Sequence, residues 1–460
     1  MSSQGARPTS RAVAADVICR VETTDAYANL LLPKRLSREH LTPRDAAFVT
    51  ELVYGTLRNQ GWYDTILARC ASRPVAALDP QVRALLRMGA HQVLDMRVPV
   101  HAAIGETVAT AKQTSAAKAS GFINAVLRRV SERTPEQWES VIRQDMSAEA
   151  FQTVRHSHPV WIARALGAAL AADGRADELD ALLTVDSLAP RVSLVRLPGV
   201  AETTIPQGYE PTEYSPLGMY APPGDPSALS LVGVRVQDQG SQLAALALSR
   251  ALPVEPGQKW LDACAGPGGK AAVLLAEGAG RVQFDWNEVA PHRAALVRDT
   301  LRGILLPHHG TQLDARALMS EHPGHWDRIL VDAPCSGLGA IRRRPESRWR
   351  KSPADLPGLT ALQAELIDAA LTGLAPGGVL AYVTCSPHLA ETQRQVESAL
   401  RRHPGVRLLD TAAVISAISP GIPLGSQRAG VQLWPHIHHS DAMFISLMTY
   451  EPEVSQGASR

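Results

Sequence analysis

The stretch Asp262-Ala-Cys-Ala-Gly-Pro-Gly-Gly-Lys270 decides the fold class of this sequence. It overlaps the end of a strand-like apolar run, residues 259–264, and supplies the turn from that strand into a following helix. Glycines between a strand and a helix let the backbone turn sharply and approach a ligand closely. Because ligands of open α/β sheets bind beyond the carboxyl ends of the strands, this turn predicts a binding site.

Two familiar nucleotide-binding loops do not fit these glycines. A phosphate-cradling Walker A loop needs Gly in place of Cys264, and Ser or Thr in place of Ala271. The dinucleotide spacing G-x-G-x-x-G also fails, because the glycines are Gly266, Gly268 and Gly269. The loop therefore suits a ligand without a pyrophosphate, which argues against a nicotinamide-dependent oxidoreductase.

Strand-like runs alternate with helical patterns on both sides of this loop. The strand-like runs are residues 259–264, 282–286, 328–331 and 379–384, and the helical stretches include 291–301 and 359–374. The alternation predicts an α/β domain over residues 236–452, with a parallel sheet covered by helices on both faces. Residues 443–448 are expected to add an edge strand to this sheet.

The rest of the chain divides into two further parts. Residues 1–135 show helical spacing of apolar side chains, and residues 1–130 carry 17 Lys and Arg against 10 Asp and Glu, a net charge of +7. A basic helical domain suits a polyanionic partner, although a solvated surface without a partner has the same signature. Seven prolines between positions 198 and 226 indicate a mixed connector over residues 136–235.

The composition excludes several classes of protein. The 460 residues include 46 Lys and Arg and 45 Asp and Glu, and the apolar fraction is 45%, as in an ordinary globular protein. Five cysteines do not make the dense disulfide framework of a small secreted protein. The sequence contains neither a secretory signal pattern nor an apolar run long enough to span a membrane. We therefore expect a cytoplasmic protein with reduced thiols and no membrane partner.

Acidic residues after the second and third strands are candidates for cofactor contacts. Glu288 lies 20 residues after Gly268, where an acid can bind both ribose hydroxyls of an adenosine. Asp285 competes for this role, although it falls inside the strand pattern. Asp314 follows a short third strand, from which it would reach an adenine amino group.

Two cysteines follow the ends of the fourth and fifth strands, in Asp332-Ala-Pro-Cys-Ser-Gly337 and Thr384-Cys-Ser386. Since parallel strands end at the same edge of a sheet, we expect Cys335 and Cys385 to face one crevice. A lone cysteine there is usually a small buried hydrophobe, but a pair beside Asp332 favours thiolate chemistry. Cys264, by contrast, is expected to meet a ligand through its backbone.

Two other motifs are candidates for binding sites. In the run Arg342-Arg-Arg-Pro-Glu-Ser-Arg-Trp-Arg-Lys351, six of ten residues are basic. Cations with an interleaved aromatic beside a catalytic crevice predict contacts with a nucleic-acid backbone and an unstacked base. The histidines of Pro435-His-Ile-His-His439 have no cysteine or acidic ligand at a recognised spacing, so no metal is expected.

The glycine loop and the two cysteine motifs, in this order, resemble the signature of S-adenosylmethionine-dependent RNA cytosine-5 methyltransferases. The segments Glu51-Leu-Val-Tyr-Gly-Thr-Leu-Arg58 and Phe122-Ile-Asn-Ala-Val-Leu-Arg128 are similar to the NusB-type helical RNA-binding domain. Their combination resembles the 16S ribosomal RNA cytosine-5 methyltransferase B family (Sun/Fmu type) over nearly the whole chain. The resemblance implies a Rossmann-like methyltransferase domain after an all-helical NusB-like domain, S-adenosylmethionine as cofactor, small-subunit ribosomal RNA as partner, and a monomer.

The resemblance also implies roles for individual residues. The cofactor-binding residues would be Cys264, Ala265, Gly266, Pro267, Gly268, Gly269, Lys270, Glu288, Asp314 and Asp332. Cys385 would add to C6 of the target cytosine, Asp332 would lie at N3, and Cys335 would assist release of the product. A thiolate at C6 is needed because C5 of cytosine is otherwise too weak a nucleophile to take the methyl group.

Three departures from the family pattern and three alternatives accompany this interpretation. The chain has Gly266 where Ala is usual, Glu288 where Asp is commoner, and Ala442-Met-Phe444 in place of Gly-Phe-Phe. DNA cytosine-5 methyltransferases use a Pro-Cys nucleophile that resembles Pro334-Cys335, so the two cysteine roles could be exchanged. The expected target is cytosine 967 of 16S ribosomal RNA, with another RNA such as tRNA, or a non-catalytic assembly role, as the alternatives.

Overall fold

The computed structural model describes residues 8–200, 204–224, 227–426 and 429–451. Contacts divide the chain into two compact units, each built from several stretches of sequence. Unit 1 comprises Met1–Arg164, Leu183–Ala189 and Ile341–Arg350. Unit 2 comprises Ala165–Leu182, Pro190–Ala340 and Lys351–Arg460.

Unit 1 is helical, as the spacing of its apolar residues predicts. Its helices up to residue 155 are Ser10–Thr23, Ala28–Glu39, Pro43–Arg58, Gln60–Cys70, Pro80–Leu94, Val100–Lys112, Ser120–Val130, Pro135–Gln144 and Ala148–Arg155. Their apolar faces form one core that extends from Val13 to Phe151. Threonines begin three of the helices, because the side chains of Thr9, Thr42 and Thr134 accept free N–H groups of the first turn. The helices Val160–Ala172 and Leu179–Asp186 follow along the chain.

The basic run at 342–351 is partly a structural element of unit 1. Arg348 is fully buried, and its guanidinium donates to three backbone carbonyls at 2.6–3.3 Å. These carbonyls belong to Arg58, Ser157 and Asp186. Arg350 likewise donates to the carbonyls of Thr24 and Ala26, at 3.0 and 2.6 Å. The expectation that this run contacts nucleic acid is therefore wrong for Arg348, which is buried, and backbone carbonyls also occupy the guanidinium of the partly exposed Arg350.

A small antiparallel sheet lies in the connector region of unit 2. Its strands are β1 (Ser193–Arg196), β2 (Glu210–Pro211), β3 (Gly218–Tyr220) and β4 (Val234–Val236), in the order β2-β3-β1-β4. Each has only two to four residues, because the prolines that surround them cannot donate to a sheet ladder.

The main sheet of unit 2 has eight strands within the described residues. They are β5 (Lys259–Asp262), β6 (Gln283–Asn287), β7 (His309–Thr311), β8 (Trp326–Asp332), β9 (Leu374–Thr384), β10 (Val406–Leu408), β11 (Val431–Gln432) and β12 (Phe444–Tyr450). The order is β10-β12-β9-β8-β5-β6-β7, and β11 pairs with β12. The five strands from β9 to β7 are parallel, as predicted, whereas β10, β11 and β12 pair antiparallel.

The expectation of an edge strand at residues 443–448 is wrong in one respect. This segment forms β12, but β12 lies inside the sheet, between β9 and β10. The strand that covers it, β10, has only three residues. So short a strand leaves too little alternation in the sequence to be recognised.

Helices cover both faces of the main sheet. The helices of unit 2 after β4 are Gln239–Arg250, Gly269–Gly278, Pro291–Leu301, Ala315–Ser320, Leu356–Gly373, Gln393–Arg402, Thr411–Ile418 and Pro435–His438. Successive residues of β5 point to opposite faces, so Trp260 joins one apolar core and Leu261 the other. In the described ranges, every helix is too short or too polar to cross a membrane.

Candidate active site

The parallel strands of the main sheet end at one edge, and the candidate residues follow those ends. The glycine loop comes after β5, Glu288 after β6 and Asp314 after β7. Asp332 closes β8, with Cys335 just beyond it, and Cys385 directly follows β9. This edge is where open α/β sheets bind ligands.

The Glu288 carboxylate is fixed against the glycine loop. Glu288 is only 2% exposed, and its Oε2 accepts the N–H of Gly266 at 3.1 Å. Arg293 reinforces this contact. Its Nε lies 3.4 Å from Oε2 of Glu288, and its Nη2 donates to the Gly266 carbonyl. Asp285, the alternative candidate, instead accepts the indole N–H of Trp326 at 2.9 Å.

The size of residue 266 is limited by Glu288. A Cβ atom at Gly266 would lie 2.4 Å from Oε2 of Glu288 and 2.8 Å from Nε of Arg293. Two departures from the family pattern, Gly for Ala at 266 and Glu for Asp at 288, are therefore sterically coupled. The longer acid needs the room that the missing methyl group leaves.

The buried Asp262 and Lys270 and the partly exposed Asp332 lie near the ends of β5 and β8. The Nζ atom of Lys270 is 2.7 Å from Oδ2 of Asp332. Burial alone would lower the pKa of Lys270, but the charge and hydrogen bond of Asp332, together with the nearby Cys385 and Asp262, outweigh it and raise this pKa. Asp262 is fully buried, and neither of its oxygens has a hydrogen-bond partner of ordinary geometry. Burial, together with the charge of Asp332, raises the pKa of Asp262 to about 8.

The two cysteines predicted to share a crevice are in contact. The Sγ atoms of Cys335 and Cys385 are 3.3 Å apart, a distance at which one thiol donates to the other sulfur. Donation from Cys335, with the nearby charge of Lys270, lowers the pKa of Cys385. The same hydrogen bond, with burial, raises the pKa of Cys335. Of the two thiols, Cys385 is therefore the one that ionises more readily.

The other two candidate residues, Cys264 and Asp314, lie in environments unlike that of the thiol pair. Burial raises the pKa of the Cys264 thiol, which leaves this sulfur protonated and unreactive. Asp314 begins the helix Ala315–Ser320, and its side chain is 45% exposed. Hydrogen bonds from Arg316 hold the Asp314 carboxylate and lower its pKa.

Asn287 organises the site, although the sequence analysis did not select it. Its buried amide donates to the carbonyls of Ala263 and Leu313, at 3.1 and 3.0 Å. Its Oδ1 accepts the hydroxyl of Thr311 at 2.8 Å. These bonds join the loops after β5 and β7 through the end of β6. The only signal in the sequence was a polar residue at the end of an apolar strand, next to Glu288.

Comparison with known proteins decides the family. Residues 249–449 match the family described as 16S rRNA methyltransferase RsmB/F, and residues 8–132 match the NusB family. A Pseudomonas putida relative, ribosomal RNA small subunit methyltransferase B, is 34% identical over 436 residues, which cover 91% of this chain and 95% of the relative. The chain belongs to the RsmB/F methyltransferase family. Its suspected family and its NusB-like domain are thereby confirmed.

Other similarities of this RsmB/F member concern sequence and fold. A Mycobacterium tuberculosis protein described as a methyltransferase is 44% identical over 451 residues, covering 95% of this chain and 96% of the relative. The crystal structure of PH0851 has a TM-score of 0.78 at 19% identity, covering 96% of this chain and 98% of that chain. A methyltransferase homologue from Pyrococcus horikoshii has a TM-score of 0.54 at 18% identity, covering 66% of this chain and 100% of that chain. The predicted fold class, a NusB-like helical domain followed by a Rossmann-like methyltransferase domain, is confirmed.

Proposed function

We propose that this RsmB/F member transfers a methyl group from S-adenosylmethionine to C5 of a cytosine in small-subunit ribosomal RNA. The reaction proceeds through a covalent bond between Cys385 and C6 of the base. The observation that carries this proposal is the thiol pair: Cys385, whose pKa is lowered, lies 3.3 Å from Cys335, whose pKa is raised. A cysteine that ionises readily suits the addition to C6, and the second thiol in contact with it is available to assist the later elimination.

The residues at the strand ends fit S-adenosylmethionine. When bound, this cofactor supplies the methyl group from a cationic sulfur. The unpartnered, buried carboxylate of Asp262 suits the cationic amino group of the methionine part. Glu288 is assigned to the ribose, Asp314 to the adenine and Asp332 to the reacting end. The backbone of the loop is assigned to the methionine and ribose parts, through Cys264, Ala265, Gly266, Pro267, Gly268, Gly269 and Lys270.

Each step of the proposed reaction depends on a side chain of the protein. The Cys385 thiolate forms a bond to C6, which makes C5 an enamine carbon able to accept a methyl group. Asp332 is assigned to N3: a proton that its carboxylate receives from the paired Lys270 ammonium can be donated to the ring nitrogen, which stabilises the negative charge that develops there. C5 then gives its proton to water, the electrons of that C–H bond expel the sulfur from C6, and Cys385 returns as thiolate. Cys335 assists this release. The base must be unstacked, because a paired cytosine hides C5 and C6.

Residues outside the strand ends contribute to RNA binding in this proposal. We assign residues 1–135 to a helical RNA-binding domain, 136–235 to a connecting subdomain and 236–452 to catalysis. The net charge of +7 over residues 1–130 supports this assignment, and Lys112, Lys118 and Arg128 are exposed there. Contacts of such cations with phosphates would make binding strongly dependent on salt.

Asp262→Asn is expected to separate cofactor binding from stability. The raised pKa means that the folded state holds a proton on Asp262 more tightly than the unfolded chain does. Stability from this group is therefore present at acid pH and is lost as the pH rises toward about 8. Without cofactor, the variant should melt at a higher temperature than the wild type at pH 8, and this difference should be much smaller at pH 5. Calorimetry should show weaker binding of S-adenosylmethionine, and unchanged binding at pH 8 would contradict the assignment.

Gly266→Ala is expected to weaken cofactor binding, because its methyl group would displace Glu288. A loss of roughly 10-fold or more in affinity is expected, about the effect of one displaced charged hydrogen bond. The double variant Gly266→Ala/Glu288→Asp should recover much of this loss, because the shorter acid vacates the space. Calorimetric titration of the two single variants and the double variant measures the coupling. Additive losses would show that the two positions are not sterically linked.

An assay with methyl-labelled S-adenosylmethionine tests both the reaction and its target. The wild-type protein should label unmodified 16S ribosomal RNA, and bisulfite sequencing should place 5-methylcytosine at position 967. Sequencing the same RNA from a deletion strain provides the matching test in cells. Labelling of tRNA alone would move the target to that RNA. An absence of transfer to any RNA, despite cofactor binding, would favour a non-catalytic assembly factor.

A further inference from the structure

A buried carboxylate lies directly behind the two cysteines. Glu391 is fully buried, five residues beyond Ser386. Its Oε2 accepts the hydroxyls of Ser336 and Ser386, at 2.5 and 2.6 Å. Its Oε1 accepts the N–H of Ser336 at 2.7 Å and the side-chain amide of Gln363 at 3.2 Å. The four groups around this carboxylate are all donors, which an ionised acid accepts and an aliphatic side chain cannot satisfy.

The partners of Glu391 are the chain neighbours of the two cysteines. Ser336 follows Cys335 after β8, and Ser386 follows Cys385 after β9. The two serine hydroxyls are also 3.0 Å from each other. One carboxylate thus joins two loops whose sulfur atoms are 3.3 Å apart.

Further hydrogen bonds hold Glu391 in place. The amide of Gln363 donates to the Pro334 carbonyl at 2.8 Å as well as to Glu391. The hydroxyl of Tyr382, within β9, donates to the Glu391 carbonyl at 2.7 Å. Glu391 is therefore held from the helix Leu356–Gly373 and from the sheet. Charge-assisted hydrogen bonds of this length are among the stronger ones in proteins.

We propose that Glu391 is the positioning residue that sets the distance between the Cys335 and Cys385 sulfurs. It touches neither sulfur, and acts through Ser336 and Ser386. The inference rests on the proposed function for its catalytic meaning, because only a reaction that uses both thiols needs their spacing. After the hydrogen bond to Cys385 and burial, the nearby Glu391 also contributes to the raised pKa of Cys335.

The spacing can be measured on the free protein, without RNA or cofactor. Dibromobimane bridges two thiols that both reach it, each thiolate displacing one bromide, and mass spectrometry identifies a Cys335–Cys385 bridge. The bridge should form quickly in the wild type. Its rate should fall roughly 10-fold in Glu391→Ala, because a buried carboxylate with four donors is lost and the loops relax. Glu391→Gln should stay near the wild type, since the serine hydroxyls can turn to accept from its amide.

A matched variant separates positioning from a general loss of packing. Gln395→Ala removes a mostly buried amide that donates to the Thr360 and Ala390 carbonyls, and Gln395 contacts neither serine. It should lower the melting temperature and leave the rate of bridging unchanged. If Glu391→Ala does not fold, Ser336→Ala and Ser386→Ala each remove one link and should each slow bridging. Bridging at the wild-type rate in Glu391→Ala, or in both serine variants, would overturn the proposal.

Enzyme kinetics supply the second measurement. Glu391→Ala should lower kcat roughly 10–100-fold, the effect of a small displacement of reacting groups. KM for S-adenosylmethionine should not change, because Glu391 does not contact the cofactor loop residues. A KM effect without a kcat effect would overturn the inference. If the wild type transfers no methyl group, the proposed function fails, while the bridging experiment still decides whether Glu391 sets the spacing.

Discussion

Cys335→Ala is expected to accumulate an RNA–protein complex that survives a denaturing gel, whereas Cys385→Ala is expected to form none. The reason is the division of roles between the two sulfurs. Cys385, with its lowered pKa, forms the bond to C6, and Cys335 is needed only when that bond must break. Removing the second role leaves the RNA attached through Cys385. The measurement is a gel of labelled RNA incubated with each variant and S-adenosylmethionine.

The loss of turnover should be large for both variants. Removal of an enzyme nucleophile costs roughly 10⁴–10⁶-fold in kcat, and Cys385→Ala should fall in this range. Cys264→Ala is the control for loss of a thiol near the site, because burial raises the pKa of this partly buried cysteine and keeps its thiol unreactive; the variant should form no trapped complex. Trapping by Cys385→Ala but not by Cys335→Ala would exchange the two roles. Normal turnover by both variants would contradict covalent catalysis.

The rate of trapping should also depend on pH in a defined direction. The S–H group of Cys335 stabilises the thiolate of Cys385, which lowers the pKa of Cys385. In Cys335→Ala this hydrogen bond is absent, so the pKa of Cys385 should rise. Complex formation, which needs the thiolate, should then begin at higher pH than the first bond-forming step of the wild type. Identical profiles in single-turnover experiments would show that the two thiols are not coupled.

Much of the sheet and the cofactor loop could be predicted because their signals are local. An apolar run, a glycine turn and a helix follow one another within twenty residues of Lys259, and the strand-end rule places them at a ligand site. The same rule brought Cys335 and Cys385 together, although 50 residues separate them. The position of β12 in the sheet could not be predicted from local signals. It depends on pairing with β9 across the sheet and with β10, a strand of only three residues.

The basic run and the buried acids show where local patterns mislead. Charge at Arg348 suggested a solvated or RNA-facing residue, but the carbonyls that bind it come from three distant parts of unit 1. Glu391 has no distinguishing neighbours in sequence, and only the fold brings Ser336 to it. Asp262 belongs to the glycine-loop motif, yet the sequence does not show that its carboxylate oxygens are unpartnered, because this depends on the side chains that surround them in the fold. Long-range partners determine the role of each of these charges.

Asp332→Asn is expected to lower kcat roughly 10²–10⁴-fold, the contribution typical of a group that stabilises charge or transfers a proton at the reacting atoms. Lys270→Met should also reduce activity, because Lys270 pairs with Asp332 and its charge favours the Cys385 thiolate. Each single change should destabilise unit 2 as well, since it leaves one charge of a largely buried pair without its partner. That cost is on the order of 2–4 kcal/mol, less than for a fully buried pair because Asp332 is 26% exposed.

The double variant Lys270→Met/Asp332→Asn separates the structural role of the pair from its chemical role. Stability should recover relative to either single variant, because no unpaired charge remains. Activity should not recover, because the group at N3 is still absent. Arg250→Met/Glu277→Gln removes a more exposed ion pair of the same unit and should leave kcat unchanged. If the Lys270 and Asp332 double variant regains activity together with stability, the pair only supports the fold, and the charge at N3 must be stabilised by another group.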